Sequence, residues 1–145
     1  MKKKMVCTML TAVMAMATIG APVSASAADK EKTIGVVVWD MAQSFEASLA
    51  EIAEKEIEER GWKCVLMDPS GDWAKMYTDI NDLVTQGVDG IIYTAIDTEG
   101  ANDAVDLAHE AGIPIIDFDC LASKGGADAS VRYDDYAGGQ MAAEQ

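Results

Sequence analysis

The side chains of this 145-residue chain that could do chemistry stand directly after its apolar, β-branched runs. They are Trp39, Asp40, Gln43 and Phe45; Asp68; Asp97; Asp119 and Cys120; and Asp134 and Asp135. Carboxylates dominate this set, two aromatic rings join them, and no Lys, Arg or His does. The loop after the first run, Trp39-Asp40-Met41-Ala42-Gln43-Ser44, contains no glycine, so a nucleotide's phosphates could not approach its backbone closely. No G-x-S-x-G elbow is present, and the sole histidine, His109, falls in the charged end of a helical stretch as a surface residue. A hydrolase triad therefore lacks its base. Gathered acids can hold a divalent cation, but Asp68, Asp72, Asp97 and Asp134 precede helices or turns, where capping explains them. Asp119 has no helix directly after it and stands apart.

A neutral polyol suits these groups. A sugar presents a face of C–H bonds that stacks on a ring such as Trp39 or Phe45, and a rim of hydroxyls that donate to Asp119 and exchange bonds with Gln43. Phe45 reads equally well as a core residue at a helix start, whereas Trp39 ends a buried strand and must place its N–H somewhere polar. Trp73 reads as packing. An enzyme on the same frame would need an acid/base pair such as Asp40 with Asp119, which are also the carboxylates a sugar's hydroxyls ask for. Binding without catalysis is the expectation, with no cofactor and no metal.

These residues must be positioned by elements that alternate every 25 to 30 residues or so, the spacing of βαβ units. The expected strands are Thr33 to Trp39, Lys63 to Asp68, Val88 to Thr94, Ile113 to Phe118 and Ala129 to Tyr133. Continuous apolar runs in the first, third and fourth fit strands covered on both faces. Phe45, Leu49, Ile52, Ala53 and Ile57 share one helical stripe that Gly61 ends. Met76, Ile80, Leu83 and Val84 form a second, capped by Asp72 and ended by Gly87. A third runs from about Glu99 to Ala111 with Thr98 as a possible N-cap, and its small Ala104 and Ala108 allow close approach to the sheet. Residues from Tyr136 to Gln145 read as the opening of a fourth. Right-handed crossovers then give an α/β fold, a doubly wound parallel sheet of order 2-1-3-4-5. On that order the strands carrying Cys64 and preceding Cys120 lie three spacings apart, about 14 Å, beyond the roughly 7 Å a disulfide allows between Cα atoms. Both are expected to be unpaired thiols.

Lys2, Lys3 and Lys4 precede an uncharged apolar run from Met5 to about Ile19, and Ala25-Ser26-Ala27 follows with small residues. This is the layout of an export signal over residues 1–27, too short for a membrane span, which needs about 20 residues. Cys7 lies too early for a lipid-modified cleavage point, so no lipid anchor is expected and the destination is periplasmic or extracellular. Processing would remove three of the 11 basic residues and none of the 25 acidic ones, for a formal charge of about −17. Such a surface repels phosphate backbones, which excludes a nucleic-acid partner. Residues 28–145 suffice for one small domain.

Four segments carry a resemblance: KTIGVVVWDMAQSFEASLAEIAEKEIEERGW, AKMYTDINDLVTQGVDGIIY, AGIPIIDFDC and YDDYAGGQMA. In order and spacing they resemble periplasmic sugar-binding proteins of the ribose-binding type. The resemblance implies the first lobe of a two-lobed, monomeric receptor that closes on a monosaccharide and delivers it to the membrane subunits of an ABC-type permease. Feeding a chemoreceptor or sensor kinase is the alternative. A second lobe is expected to be missing, so this lobe alone should bind feebly and expose apolar surface. By position, the sugar contacts fall on Trp39, Gln43, Phe45 and Asp119. Two departures stand out: Glu46 where ribose binders have a second aromatic, and Cys120 where they have an arginine, which together with Trp39 point away from ribose toward a pyranose or cyclitol. Repressors sharing the fold need an N-terminal DNA-binding unit, whose place the export signal takes.

Overall fold

The computed structural model describes residues 31–120, 122, 124 and 126–144. The export signal expected over residues 1–27 lies outside them. Five strands, β1 (Thr33–Val37), β2 (Lys63–Met67), β3 (Gly90–Tyr93), β4 (Ile115–Phe118) and β5 (Ala129–Val131), alternate with α1 (Ser44–Glu59), α2 (Trp73–Gln86) and α3 (Ala101–Glu110), and α4 (Asp135–Ala143) follows. The sheet has the order β2-β1-β3-β4-β5, as the sequence leads one to expect, and every neighbouring pair is parallel. Registers such as Val37↔Tyr93 and Phe118↔Val131 bring the carboxyl ends of all five strands to one edge.

The strands are shorter than their apolar runs, for local reasons. Beyond β1 the Trp39 N–H turns to the Glu46 carboxylate at 3.0 Å instead of the ladder. Before β3, the Val88 N–H closes the left-handed turn at Gly87 by donating to Leu83 O. Pro114, just before β4, has no N–H to give. Hydrogen bonding in β5 stops at Val131, which leaves Arg132 and Tyr133 beyond the strand.

Two apolar layers sandwich the sheet unequally. Met76, Ile80 and Leu83 of α2 and Ala101, Ala104, Val105 and Ala108 of α3 pack on Val37, Ile91, Tyr93 and Ile115. Each fully buried Met, Leu, Ile or Val side chain here contributes about 1.5–3 kcal/mol. On the other face α1 covers β1 and β2 alone, through Ala50 and Ile57 against Val36 and Val38. The expected α1 stripe is therefore split. Ile57 is buried, but Phe45 and Ile52 are 59% and 63% exposed and flank a groove over Ile92, Ile116 and Phe118 that no described element covers. Periodicity shows which residues share a stripe; whether anything lies over that stripe is a matter of layers.

Gly35 decides how closely α2 meets β1, because a Cβ there would lie 2.5 Å from Leu83 Cδ1. Gly35→Ala is expected to lower stability by about 1–3 kcal/mol through overpacking, seen as a lower denaturant midpoint at unchanged slope. The α3 cap differs from expectation. Gly100 occupies the N-cap with no side-chain bond, and Thr98 caps nothing. Asp97 takes that role one turn earlier: its carboxylate accepts from Glu99 N–H at 2.9 Å and its carbonyl from Ala101 N–H at 2.8 Å. Asp72 caps α2 as expected, accepting from the Ala74 and Lys75 N–H groups. Asp134 caps α4, which starts one residue before the expected helix, by accepting from Ala137 N–H.

Candidate functional site

The crevice of an open parallel sheet lies beyond the carboxyl ends of its strands. At the end of β4, Asp119 adopts a left-handed backbone, φ 64°. Its N–H donates to Val131 O at 2.9 Å, and the next N–H, that of Cys120, folds back to Phe118 O at 2.8 Å. The chain thus turns sharply around Asp119 and presents its side chain at the sheet's edge. Left-handed backbone in a non-glycine residue costs about 1 kcal/mol, and such conformations cluster at functional sites.

Around this turn opens a cleft of about 460 Å³, lined by Phe45, Phe118, Asp119, Arg132, Tyr133 and Asp135 among others. Two of the four expected contact residues, Phe45 and Asp119, meet in it. Trp39 and Gln43 open at the same end of the sheet but do not line it. Trp39 is half-buried and leans toward β2: its indole Nε1 lies against Gly71, whose N–H donates to Trp39 O at 2.9 Å. Gln43 is exposed at the start of α1 and makes no side-chain cap. Asp40 and Asp68 tie loops together: Asp40 accepts from Ala42 N–H, and Asp68 accepts from Ser70 and Met41 N–H groups. Trp73 packs, its ring 6.2 Å from that of Tyr77 and pressed on Gly100.

Glu46 is only 3% exposed, and its Oε2 holds the Trp39 N–H. It pins the first loop from beneath, where the resemblance expects an aromatic. The Cys120 thiol points toward Asp119, Sγ to Oδ2 3.7 Å. Its pKa is pushed up by burial first, then by the Asp119 and Glu46 carboxylates, and is drawn down by the charge of Arg132. Cys64, packed under α1, is pushed up to about 11, by burial and then by Glu54 and Glu58. Both cysteines are free thiols. His109, at the end of α3, pairs with Asp128 at 3.2 Å, and neither residue lines the cleft. Among the described residues no cluster of three or more His, Cys, Asp or Glu side chains could hold a metal ion.

Sequence reasoning missed Phe118, Arg132 and Tyr133. Its fifth strand ran through Tyr133, which placed Arg132 inside the sheet; the acidic cap at Asp134 was the available sign that the strand had already ended.

A parallel α/β sheet with an aromatic and carboxylate cleft at its carboxyl edge defines a binding domain of the open-crevice class. The chain belongs to the periplasmic binding protein domain family, which it matches over residues 34–145. It is similar to the ribose import binding protein RbsB of Bacillus subtilis, 36% identical over 114 residues, covering 79% of this chain and 37% of the relative. The RbsB protein of Escherichia coli is 32% identical over 144 residues, covering 99% of this chain and 47% of the relative. A solved ABC transporter solute binding protein from Mycobacterium smegmatis with bound glycerol superposes with a TM-score of 0.72 at 26% identity, over 77% of this chain and 38% of that one. The chain thus spans less than half the length of these relatives.

Proposed function

We propose that this domain is the first lobe of an exported solute-binding protein, which captures a neutral monosaccharide or polyol and passes it to an ABC-type permease without transforming it. One observation carries the reading: the rings of Phe45, Phe118 and Tyr133 share a single cleft with the Asp119 carboxylate. Stacked C–H faces and hydroxyls donating to a carboxylate use those groups together. The names of the relatives, ribose import binding proteins, support the sugar class. Residues 1–27 are the export signal in this reading, and a second lobe supplies the opposing wall. Closure by hinge motion then buries the ligand between lobes.

Calorimetric titration of the full-length protein with pentoses, hexoses, inositols and linear polyols tests it. Saturable 1:1 binding of at least one member is expected, and the absence of binding across the panel overturns the ligand class.

A further inference from the structure

Arg132 stands in the cleft with no assigned task. It is exposed, and among the described residues it makes no ion pair and no side-chain hydrogen bond, although Asp119 and Asp135 line the same cleft. Its placement is nevertheless set by the sheet. Phe118 and Val131 are register partners, and the Asp119 N–H donates to the carbonyl of Val131, the residue directly before Arg132. The two side chains therefore spring from adjacent points of a parallel ladder, where strands lie about 4.8 Å apart. That the Arg132 charge is felt at Cys120, next to Asp119, agrees with this closeness.

We infer that Arg132 and Asp119 act as a donor–acceptor pair on neighbouring strand ends, and that together they take the vicinal hydroxyls of a neutral sugar. The inference rests on the sugar-binding reading above. Asp119 is acceptor-only when ionised, whereas a guanidinium is donor-only and presents a planar fork. Two adjacent hydroxyls can donate to the first and accept from the second at once. Cys120 follows Asp119 in the chain and offers no such fork, so the donors come across the ladder from β5 instead. Among the described residues the cleft's lining contains two carboxylates, Asp119 and Asp135, against this one cation. The balance disfavours an anionic sugar acid and favours the neutral ring.

The test uses the full-length protein, its best neutral sugar from the panel, and the uronic acid of the same ring. Arg132→Ala is expected to weaken the neutral sugar about 10- to 100-fold, the scale of a charged hydrogen-bonding group lost. Arg132→Lys restores only part of this, because an ammonium lacks the fork. Melting of the ligand-free protein should not move in either variant. A separate readout checks proximity without ligand: removing the Arg132 charge raises the Cys120 pKa, so Cys120 alkylation at pH 8.5 slows in Arg132→Ala. Affinity unchanged in Arg132→Ala, with the parent still binding sugar, overturns this role while leaving the sugar-binding reading intact. A uronic acid bound more tightly than its neutral parent overturns the ligand class inferred from the charge balance. A parent that binds no sugar overturns both readings.

Discussion

Asp119→Gly is expected to fold at least as stably as the parent while its sugar affinity falls about 100-fold or more. Glycine enters the left-handed region freely, so at φ 64° it relieves the roughly 1 kcal/mol that an L side chain costs there. The same change removes the carboxylate at the floor of the cleft and with it charge-assisted bonds of about 1.5–3 kcal/mol each. Asp119→Ala separates the two effects, because it loses the carboxylate yet keeps a Cβ in the strained conformation. It should lose binding to the same extent while melting lower than Asp119→Gly, by about 1 kcal/mol of stability. Paired calorimetry and denaturant unfolding of the two variants decide the matter. If Asp119→Gly retained parental affinity, Asp119 would be an architectural turn residue and nothing more.

The second large effect is expected in the core. Asp117 of β4 is fully buried, facing α2 and α3, and among the described residues neither carboxylate oxygen has a well-formed hydrogen bond. Its register partner on β3, Tyr93, is buried as well; among the described residues its hydroxyl makes no well-formed hydrogen bond, although it lies near enough to the Asp117 carboxylate for that group to raise its pKa. Buried polar groups without partners cost about 1–3 kcal/mol each. Replacing the pair by Tyr93→Phe with Asp117→Val, both good strand formers, is therefore expected to stabilise the domain by about 1–4 kcal/mol. The phenol also sets an alkaline limit. Burial first, and the Asp117 carboxylate second, push the Tyr93 pKa well above its ordinary value of 10.0. A pKa raised on folding gives stability that is complete below the unfolded value, near 10, and is lost as pH climbs toward the folded one. The parent should thus weaken between pH 10 and 11.5, and Tyr93→Phe should flatten that limb. Lower stability of Tyr93→Phe at pH 7 would show that the hydroxyl has a partner in solution.

The frame of this domain was legible because its cues are local. β-Branched runs at βαβ spacing, Gly61, Gly87 and Gly112 after the helices, and Asp72 before α2 each act within a few residues of where they stand. The parallel order follows from crossover handedness, which holds for nearly any such alternation. The prominence of Asp119 was legible for a similar reason: no helix follows it to explain it as a cap. The Thr98 cap was misread because Asp97, one residue earlier, competes for the same N–H groups with a carboxylate, a stronger acceptor than a hydroxyl.

What a residue faces is a different kind of fact. The α1 stripe is visible in the sequence, but only the layering shows that Ala50 and Ile57 meet the sheet while Phe45 and Ile52 do not. Tyr93 and Asp117, 24 residues apart, become a buried pair only through the register of β3 on β4.

By itself, then, the sequence determined the class of fold, the strand order, and the gathering of acidic and aromatic side chains at the carboxyl edge of the sheet. Tertiary structure alone decided that Phe45 joins Asp119 in one cleft while Trp39 leans away on Gly71, and that Arg132 stands beside Asp119. The physical reason is reach: propensity and periodicity act over one or two turns of chain, whereas a cleft is made by side chains from strands whose adjacency and register only the folded sheet defines.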